Sequence, residues 1–161
     1  MLKTTLTKTL YKKTIPHIWG YGYLCLFLRL ILPNSSFNWL ARLPVKPGLI
    51  VNAKSSIGDV LLTKPERCSI AKKFFWTDGQ IEPKEDERAI EYFIKLSQKS
   101  KYIFDIGANS GIFSLMSSIA NPNAKVFSYD ILPEAFHILI DNLMVNNLMD
   151  SVTPFLKGVG K

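Results

Sequence analysis

The feature that most constrains the fold of this chain is a short apolar run that leads straight into a glycine-rich turn. Residues 102–106 read Tyr-Ile-Phe-Asp-Ile, and the turn extends from Gly107 to Gly111. Such continuous hydrophobicity predicts a strand covered on both faces, as in a parallel sheet. Beyond the turn, apolar residues at helical spacing predict a helix with one buried face: Ile112, Leu115, Met116 and Ile119.

The same order of elements continues towards the C-terminus. The stretch 121–123 (Asn-Pro-Asn) ends the first helix, residues 125–130 form a second predicted strand, and Pro133 opens a second helix. A third strand is predicted at 152–156. Helical connections of about twenty residues indicate parallel strands joined by right-handed crossovers, so the predicted fold class is α/β with a Rossmann-like sheet. Pro154 has no N–H to donate, so the third strand is expected to lie at the sheet edge or to begin there.

Three regions of the chain differ in pattern. The 161 residues, of which 47% are hydrophobic, suffice for about one domain with a real core. Residues 1–36 are basic and apolar, residues 37–81 form an extension punctuated by prolines and glycines, and residues 82–161 carry the α/β pattern. The extension predicts short strands and turns rather than long helices. A helix is predicted from Pro83 to Ser97, because acidic residues open it and lysines close it.

Positive charge is concentrated at the N-terminus. The net charge is +7, and eight of the 20 basic residues precede the first acidic residue, Asp59. From Asp59 onwards, 12 basic residues nearly balance all 13 acidic residues. Charge confined to one apolar end disfavours nucleic acid as a partner and indicates an anionic membrane surface or a partner chain, of which the membrane surface is favoured.

The apolar segment from Ile18 to Leu32 lies within this basic region and is interrupted by Arg29. As a helix it would extend about 22 Å, less than the roughly 30 Å hydrocarbon core of a bilayer. It also lacks the cleavage site of a signal peptide. Two alternatives follow: residues 1–32 dock on a membrane surface, or the segment packs on the body of the protein. The expected location is the cytoplasm, with or without membrane association.

Metal binding is not predicted. Cys25 and Cys68 form no C-x-x-C pair, and His17 and His137 are isolated. The two cysteines are expected to be free, buried thiols, and His137 is expected on the surface. No residue is assigned as a catalytic acid or base.

The turn and the end of the second strand hold the residues best placed for chemistry. Ligands of open parallel sheets bind beyond the carboxyl ends of the strands, where Gly107 and Gly111 let backbone N–H groups approach closely. Asp130 ends the second strand, where a carboxylate can accept hydrogen bonds from ribose hydroxyls. The alternatives are a simple strand–helix connection for the glycines and a helix N-terminal acid for Asp130. Together the two signals predict a nucleoside site, and Asn109 disfavours NAD because a dinucleotide fingerprint needs glycine there.

These residues belong to a longer resemblance. The sequence resembles the FkbM-type class I methyltransferases over about residues 82–160, in the segments 103–115 (IFDIGANSGIFSL), 121–126 (NPNAKV), 133–136 (PEAF) and 146–148 (NNL). The D-x-G-A-N-x-G form of the turn is far more distinctive than a generic glycine loop. The resemblance implies S-adenosyl-L-methionine as the cofactor, and methyl transfer to a hydroxyl of a sugar or another small acceptor.

The resemblance also implies individual roles. Asp105 and Gly107 would face the methionine end of the cofactor, residues 108–109 would line the loop beside it, and Gly111 would open the helix. Asp130 would hold the ribose, at a position where family members commonly have the longer Glu. The predicted cofactor-binding residues are therefore Asp105, Gly107, Ala108, Asn109, Gly111 and Asp130.

Two other functions stay open from the sequence. The family has seven strands in the order 3-2-1-4-5-7-6, and this chain supplies the first three, so residues 82–161 are expected to be the front part of a longer domain. The first alternative is therefore an inactive remnant or a membrane-associated interaction module. The second is another nucleoside-cofactor enzyme, such as an NAD oxidoreductase.

Overall fold

A computed structural model of the protein describes residues 14–31, 40, 42–80 and 84–160, with the backbone alone described at 84–87. A 3₁₀ turn, Ile15–His17, precedes the first helix. The predicted boundaries at residues 36 and 81, the start of a helix at Pro83, and the basic residues before Thr14 lie outside the described residues. The helices and strands, in chain order, are α1 (Tyr21–Ile31), β1 (Ile50–Ala53), β2 (Val60–Thr63), α2 (Ser69–Trp76), α3 (Lys84–Ser97), β3 (Tyr102–Ile106), α4 (Ile112–Ala120), β4 (Lys125–Asp130), α5 (Pro133–Val145) and β5 (Val152–Leu156).

Strands β3, β4 and β5 form a parallel sheet in that spatial order. The register pairs Ile103 with Val126 and Val126 with Val152, so three apolar residues form one row across the sheet. β5 lies at the edge, as Pro154 predicts, because an edge strand leaves one side free of ladder hydrogen bonds. The α/β fold class predicted from the sequence is confirmed.

Helices α4 and α5 cover one face of the parallel sheet. The row formed by Ile103, Val126 and Val152 is at most 7% exposed. Burying an apolar side chain of this size stabilises the fold by roughly 1.5–3 kcal/mol. Helix α3 packs against α4, where the rings of Phe93 and Phe113 meet edge to face at 5.0 Å. The large apolar residues of α4 and α5 that are fully buried in this core are Leu115, Met116, Leu139 and Leu143.

The opposite face of the sheet is uncovered in the described part of the molecule, and the prediction that β3 is buried on both faces is wrong. Tyr102, Phe104 and Ile106 point to that face and are 58–63% exposed. The reason is that both connecting helices lie on the other face, so continuous hydrophobicity in β3 does not reflect two covering layers. Aromatic rings stack along the open face in the pairs Phe104–Phe127, Phe127–Phe155 and Tyr129–Phe155.

Strands β1 and β2 form an antiparallel hairpin, which two asparagines of the α5 region bind to the rest of the protein. Asn146 Oδ1 accepts a hydrogen bond from Leu61 N at 2.9 Å, and its Nδ2 donates to Leu61 O at 2.7 Å. The amide thereby takes the place of a neighbouring strand. Asn142 is fully buried, and its Oδ1 accepts from Thr63 N at 2.7 Å and Thr63 Oγ1 at 2.8 Å.

Helix α2 is a short helix in the extension for which the sequence predicts short strands and turns rather than long helices. Its N-cap is Cys68, whose Sγ accepts a hydrogen bond from Ala71 N at 3.4 Å. Cysteine is not among the preferred capping residues, and the helix ends in three aromatic residues of modest helix propensity. Tertiary burial stabilises it instead, since Phe74, Phe75 and Trp76 are each at most 5% exposed.

Helix α1 packs on the body of the protein through Cys25, which is 1% exposed. Cys68 is also buried, and both cysteines are free thiols, as expected. Burial raises the pKa of the Cys25 thiol above its ordinary value, and a hydrogen bond with Tyr21 opposes that rise. None of the helices in the described ranges has both the length and the apolarity needed to cross a bilayer.

The hydrogen bonds of Asn142 lead to a first prediction. Replacing it with alanine removes the acceptor of the part-buried Thr63 N–H and the donor of the buried hydrogen bond to Ser110 O. Asn142→Ala is therefore expected to lower the free energy of unfolding by about 3 kcal/mol. Urea denaturation of the variant measures this loss. Asn123→Ala, at an exposed turn position, is the matched control and is expected to stay within about 0.5 kcal/mol of the wild type. Equal stability of the two variants would contradict the role given to Asn142.

Candidate functional site

The glycine turn lies at the carboxyl end of β3 and contains three left-handed residues. The φ angle is +79° at Gly107, +51° at Asn109 and +79° at Gly111. Glycine adopts this conformation freely, and asparagine tolerates it better than most residues. The N–H groups of Gly107 and Ala108 both donate to Tyr129 O at 2.9 Å, so the turn is fixed to the end of β4.

The two glycines of the turn are needed for different reasons. A Cβ at Gly111 would collide with Cδ1 of Leu139, so glycine there allows the turn to pack against α5. At Gly107, no atom lies within 4 Å of the position that a Cβ would occupy, and the residue is exposed. The space in front of Gly107 is therefore accessible to a ligand. Gly111 instead packs against Leu139 of α5 and leaves no such space.

The residues predicted for the cofactor differ in exposure in the same way. Gly107 and Asn109 are exposed and can touch a ligand directly. The other four residues are buried: Asp105, Ala108, Gly111 and Asp130.

The structure brings the carboxylate of Asp130 into contact with the glycine turn. Its Oδ2 accepts a hydrogen bond from Asn109 N at 2.8 Å, and its Oδ1 accepts one from Leu132 N at 2.8 Å. The side chain therefore fixes the turn after β3 and the turn after β4 at the same time. Each carboxylate oxygen can accept more than one hydrogen bond, so further acceptor capacity is left for a ligand hydroxyl.

Asp105 lies on the helix-covered face of β3 and binds the first turn of α4. Its Oδ2 accepts hydrogen bonds from Ser114 N at 3.1 Å and Ser114 Oγ at 2.6 Å. It thus satisfies one of the helix N–H groups that lack an intrahelical acceptor. Burial raises the pKa of the Asp105 carboxyl above its ordinary value; the bonds from Ser114 lower it, and the nearby charge of Asp130 raises it slightly.

Several polar residues that support the site were missed by the sequence analysis. Ser114 Oγ also bonds Ser128 Oγ on β4, so a buried polar group links α4 with two strands. Asn142 Nδ2 donates to Ser110 O at 2.8 Å and thereby holds the turn from the side of α5. Strand alternation alone could have placed Ser128 on the inner face, but its partner on α4 is set by tertiary packing.

Two cavities in the described part of the molecule lie away from the glycine turn. One of about 910 Å³ lies between α1, the β1–β2 hairpin and α2, and contains the ion pairs of Asp78 with Arg29 and Lys54. The other, of about 460 Å³, lies beside α5 near the ion pair of Lys64 with Asp141. Neither is lined by the glycine turn. Among the described residues, no cluster of His, Cys, Asp and Glu could hold a metal ion.

Comparison with known proteins gives partial likenesses. No family model matches the chain. Among solved structures, it is similar to a precorrin-6y C5,15-methyltransferase of Geobacter metallireducens, with 26% identity and a TM-score of 0.41, over 48% of this chain and 40% of that one. It is also similar to an S-adenosylmethionine-dependent methyltransferase of Agrobacterium tumefaciens, with 13% identity and a TM-score of 0.48, over 69% of this chain and 33% of that one.

A third likeness is to a Pyrococcus horikoshii protein described as a transferase, with 16% identity and a TM-score of 0.42, over 84% of this chain and 63% of that one. The chain thus spans between 33% and 63% of the length of these three structures. The α/β assignment itself follows from the strand order and register of this chain.

The burial of Asp105 predicts a pH dependence of stability. Because the pKa is raised above its ordinary value of 3.8, the folded state holds this proton more tightly than the unfolded state. The contribution of Asp105 to stability therefore falls as the pH rises from about 4 through the raised value. Asp105→Asn removes this titration, so the stability of the wild type relative to this variant is expected to decrease between pH 4 and pH 7.

Urea denaturation at both pH values measures the effect. Asp150→Asn, an exposed carboxylate of the same type, is the control. If the difference between wild type and Asp105→Asn is the same at both pH values, the described burial of this carboxyl group is not energetically significant.

Proposed function

We propose that the chain binds S-adenosyl-L-methionine at the glycine turn, as the cofactor-holding part of a methyltransferase. The observation that carries the proposal is the contact between Asp130 Oδ2 and Asn109 N. It places the carboxylate at the end of β4 directly beside the exposed turn at the end of β3. This is the edge of a parallel sheet at which nucleoside ligands bind.

The residues of the turn fit such a ligand. Gly107 leaves open space at its α-carbon, and its φ of +79° favours glycine over any residue that would fill that space. The N-terminus of α4 follows directly and favours negative charge, which the carboxylate of the methionine moiety carries. Asp130 has acceptor capacity for a ribose hydroxyl. Asn109 replaces the glycine that a pyrophosphate would need, which favours this cofactor over NAD.

The chemistry assigned to the chain is binding and orientation. When bound, the cofactor supplies a methyl group on a positively charged sulfur. Holding the reacting groups in line accounts for a large part of the rate in such displacements. The turn and Asp130 fix the cofactor's position, and Asp105 positions the start of α4 through Ser114. We assign no general base to a described residue.

For the acceptor, the D-x-G-A-N-x-G form of the turn supports an FkbM-type enzyme that methylates a hydroxyl of a sugar or another small molecule. Because the chain spans only part of the structures it resembles, the acceptor and the complete activity are part of the proposal.

Calorimetric titration with S-adenosylhomocysteine tests the proposal, with NAD as the competing ligand. We expect heat with S-adenosylhomocysteine alone. Gly107→Ala is expected to weaken this binding about tenfold or more, because a methyl group then occupies the open space and strains the turn. Gly48→Ala is the matched control, since Gly48 has a φ of +78° and the same open surroundings. Heat with NAD alone, or equal effects of the two substitutions, would sink the proposal.

Asp130 provides a separate test of the ribose contact. Asp130→Ala is expected to weaken S-adenosylhomocysteine binding by roughly 10- to 100-fold, because it removes a charged acceptor of hydrogen bonds. It also lowers the melting temperature, since Asn109 N and Leu132 N lose their acceptor. Asp130→Glu retains a carboxylate and is expected to retain most of the binding. An affinity unchanged by the alanine substitution, measured well below its melting temperature, removes Asp130 from the site.

A further inference from the structure

Helix α1 presents a largely apolar face to solvent. Six of its eleven residues are exposed, by 43–81%, and Trp19 just before the helix is 95% exposed. At 100° per residue, the six cover an arc of about 160°. No polar or charged side chain other than the hydroxyl of a tyrosine lies on this arc, which is formed by Tyr23, Leu24, Leu26, Phe27, Leu30 and Ile31.

The opposite face of α1 packs on the protein body, and the charged side chain of the helix lies outside the apolar arc. Cys25 is buried there, and Arg29 is the charged residue of this helix. Arg29 Nη2 forms an ion pair with Asp78 Oδ1 at 3.2 Å, and its guanidinium lies 5.5 Å from the centre of the Phe75 ring. An ordinary surface helix has the reverse arrangement, with apolar residues inside and charges outside. The exposed face of α1 is therefore not explained by packing within the described residues.

We propose that this face of α1 docks on an anionic membrane surface. A helix that lies in the membrane interface combines a wide apolar face with nearby basic charge. The apolar face is that of α1, and the sequence supplies the basic charge, since eight basic residues and no acidic residue precede Asp59. Two of the eight, Arg29 and Lys54, are paired with Asp78. Trp19 and Tyr23 add the aromatic side chains that are favoured at the boundary between lipid and water. The eleven residues of α1 extend only about 16 Å, which suits a helix that lies along the surface.

A second copy of the chain is a weaker candidate for the occupant of this face. Two copies of the chain carry the same net charge of +7, and this repulsion opposes their association. A negatively charged lipid surface instead attracts the basic residues.

Vesicle sedimentation with matched variants tests this inference. We expect the wild type to sediment with vesicles of phosphatidylcholine and phosphatidylserine, and to bind less well to phosphatidylcholine alone or when NaCl rises from about 0.1 M to about 0.5 M. Leu30→Glu places a charge on the apolar face and is expected to weaken binding about tenfold or more. Leu96→Glu makes the same change at an exposed position of α3 and is expected to leave binding unchanged.

Two further readouts separate the outcomes. Fluorescence of Trp19 is expected to shift to shorter wavelength when anionic vesicles are added, and Trp19→Phe is expected to reduce the shift. Leu30→Glu is expected to bind S-adenosylhomocysteine as the wild type does, so the membrane inference and the proposed function fail independently. Absence of vesicle binding by the wild type overturns the inference. So does a wild-type dimer that ignores vesicles and that Leu30→Glu dissociates, which would assign the face to a second copy.

Discussion

The side chain of Asn142 connects the three parts of the molecule on which the candidate site depends. Its Oδ1 binds Thr63 in the β1–β2 hairpin, and its Nδ2 binds Ser110 in the glycine turn. The residue itself lies on α5, which packs on the sheet. A buried amide with partners on both sides is costly to lose, because each freed group is left without water. The position of the turn is thus set from α5 and the hairpin as well as from β3.

Local pattern was sufficient to predict most of the α/β region. The strands, the helix after the turn and the edge position of β5 each follow from features within a few residues, such as helical spacing or Pro154. The features that the sequence left undetermined depend on distant contacts. Helix α2 is stabilised by burial of Phe74 and its neighbours rather than by its N-cap, and the exposure of Phe104 depends on which face the two helices cover.

In the candidate site, too, some features could be predicted from local sequence and others depend on distant contacts. Sequence placed Gly107 and Asp130 at adjacent strand ends, and the structure brings Asp130 to the turn through Asn109. Sequence could not separate the roles of the two glycines, because the collision that a side chain at Gly111 would cause is with Leu139, which is 28 residues away in the chain. The hydrogen bonds of Ser114 with Asp105 and Ser128 could not be predicted either. Hydrogen bonds between buried side chains of different elements leave no periodic pattern in the sequence.

The unpaired edge of β3 lies beside the exposed aromatic face of the sheet, and the two features together favour the addition of another strand. Within the described residues, β3 pairs only with β4, so its other side offers unpaired N–H and C=O groups. Tyr102, Phe104 and Ile106 lie beside these groups and are more than half exposed. An added strand would gain backbone pairing and apolar contact in one step. The open edge of β3 is thus a position at which a further strand can pair, and an uncovered edge of this kind favours aggregation.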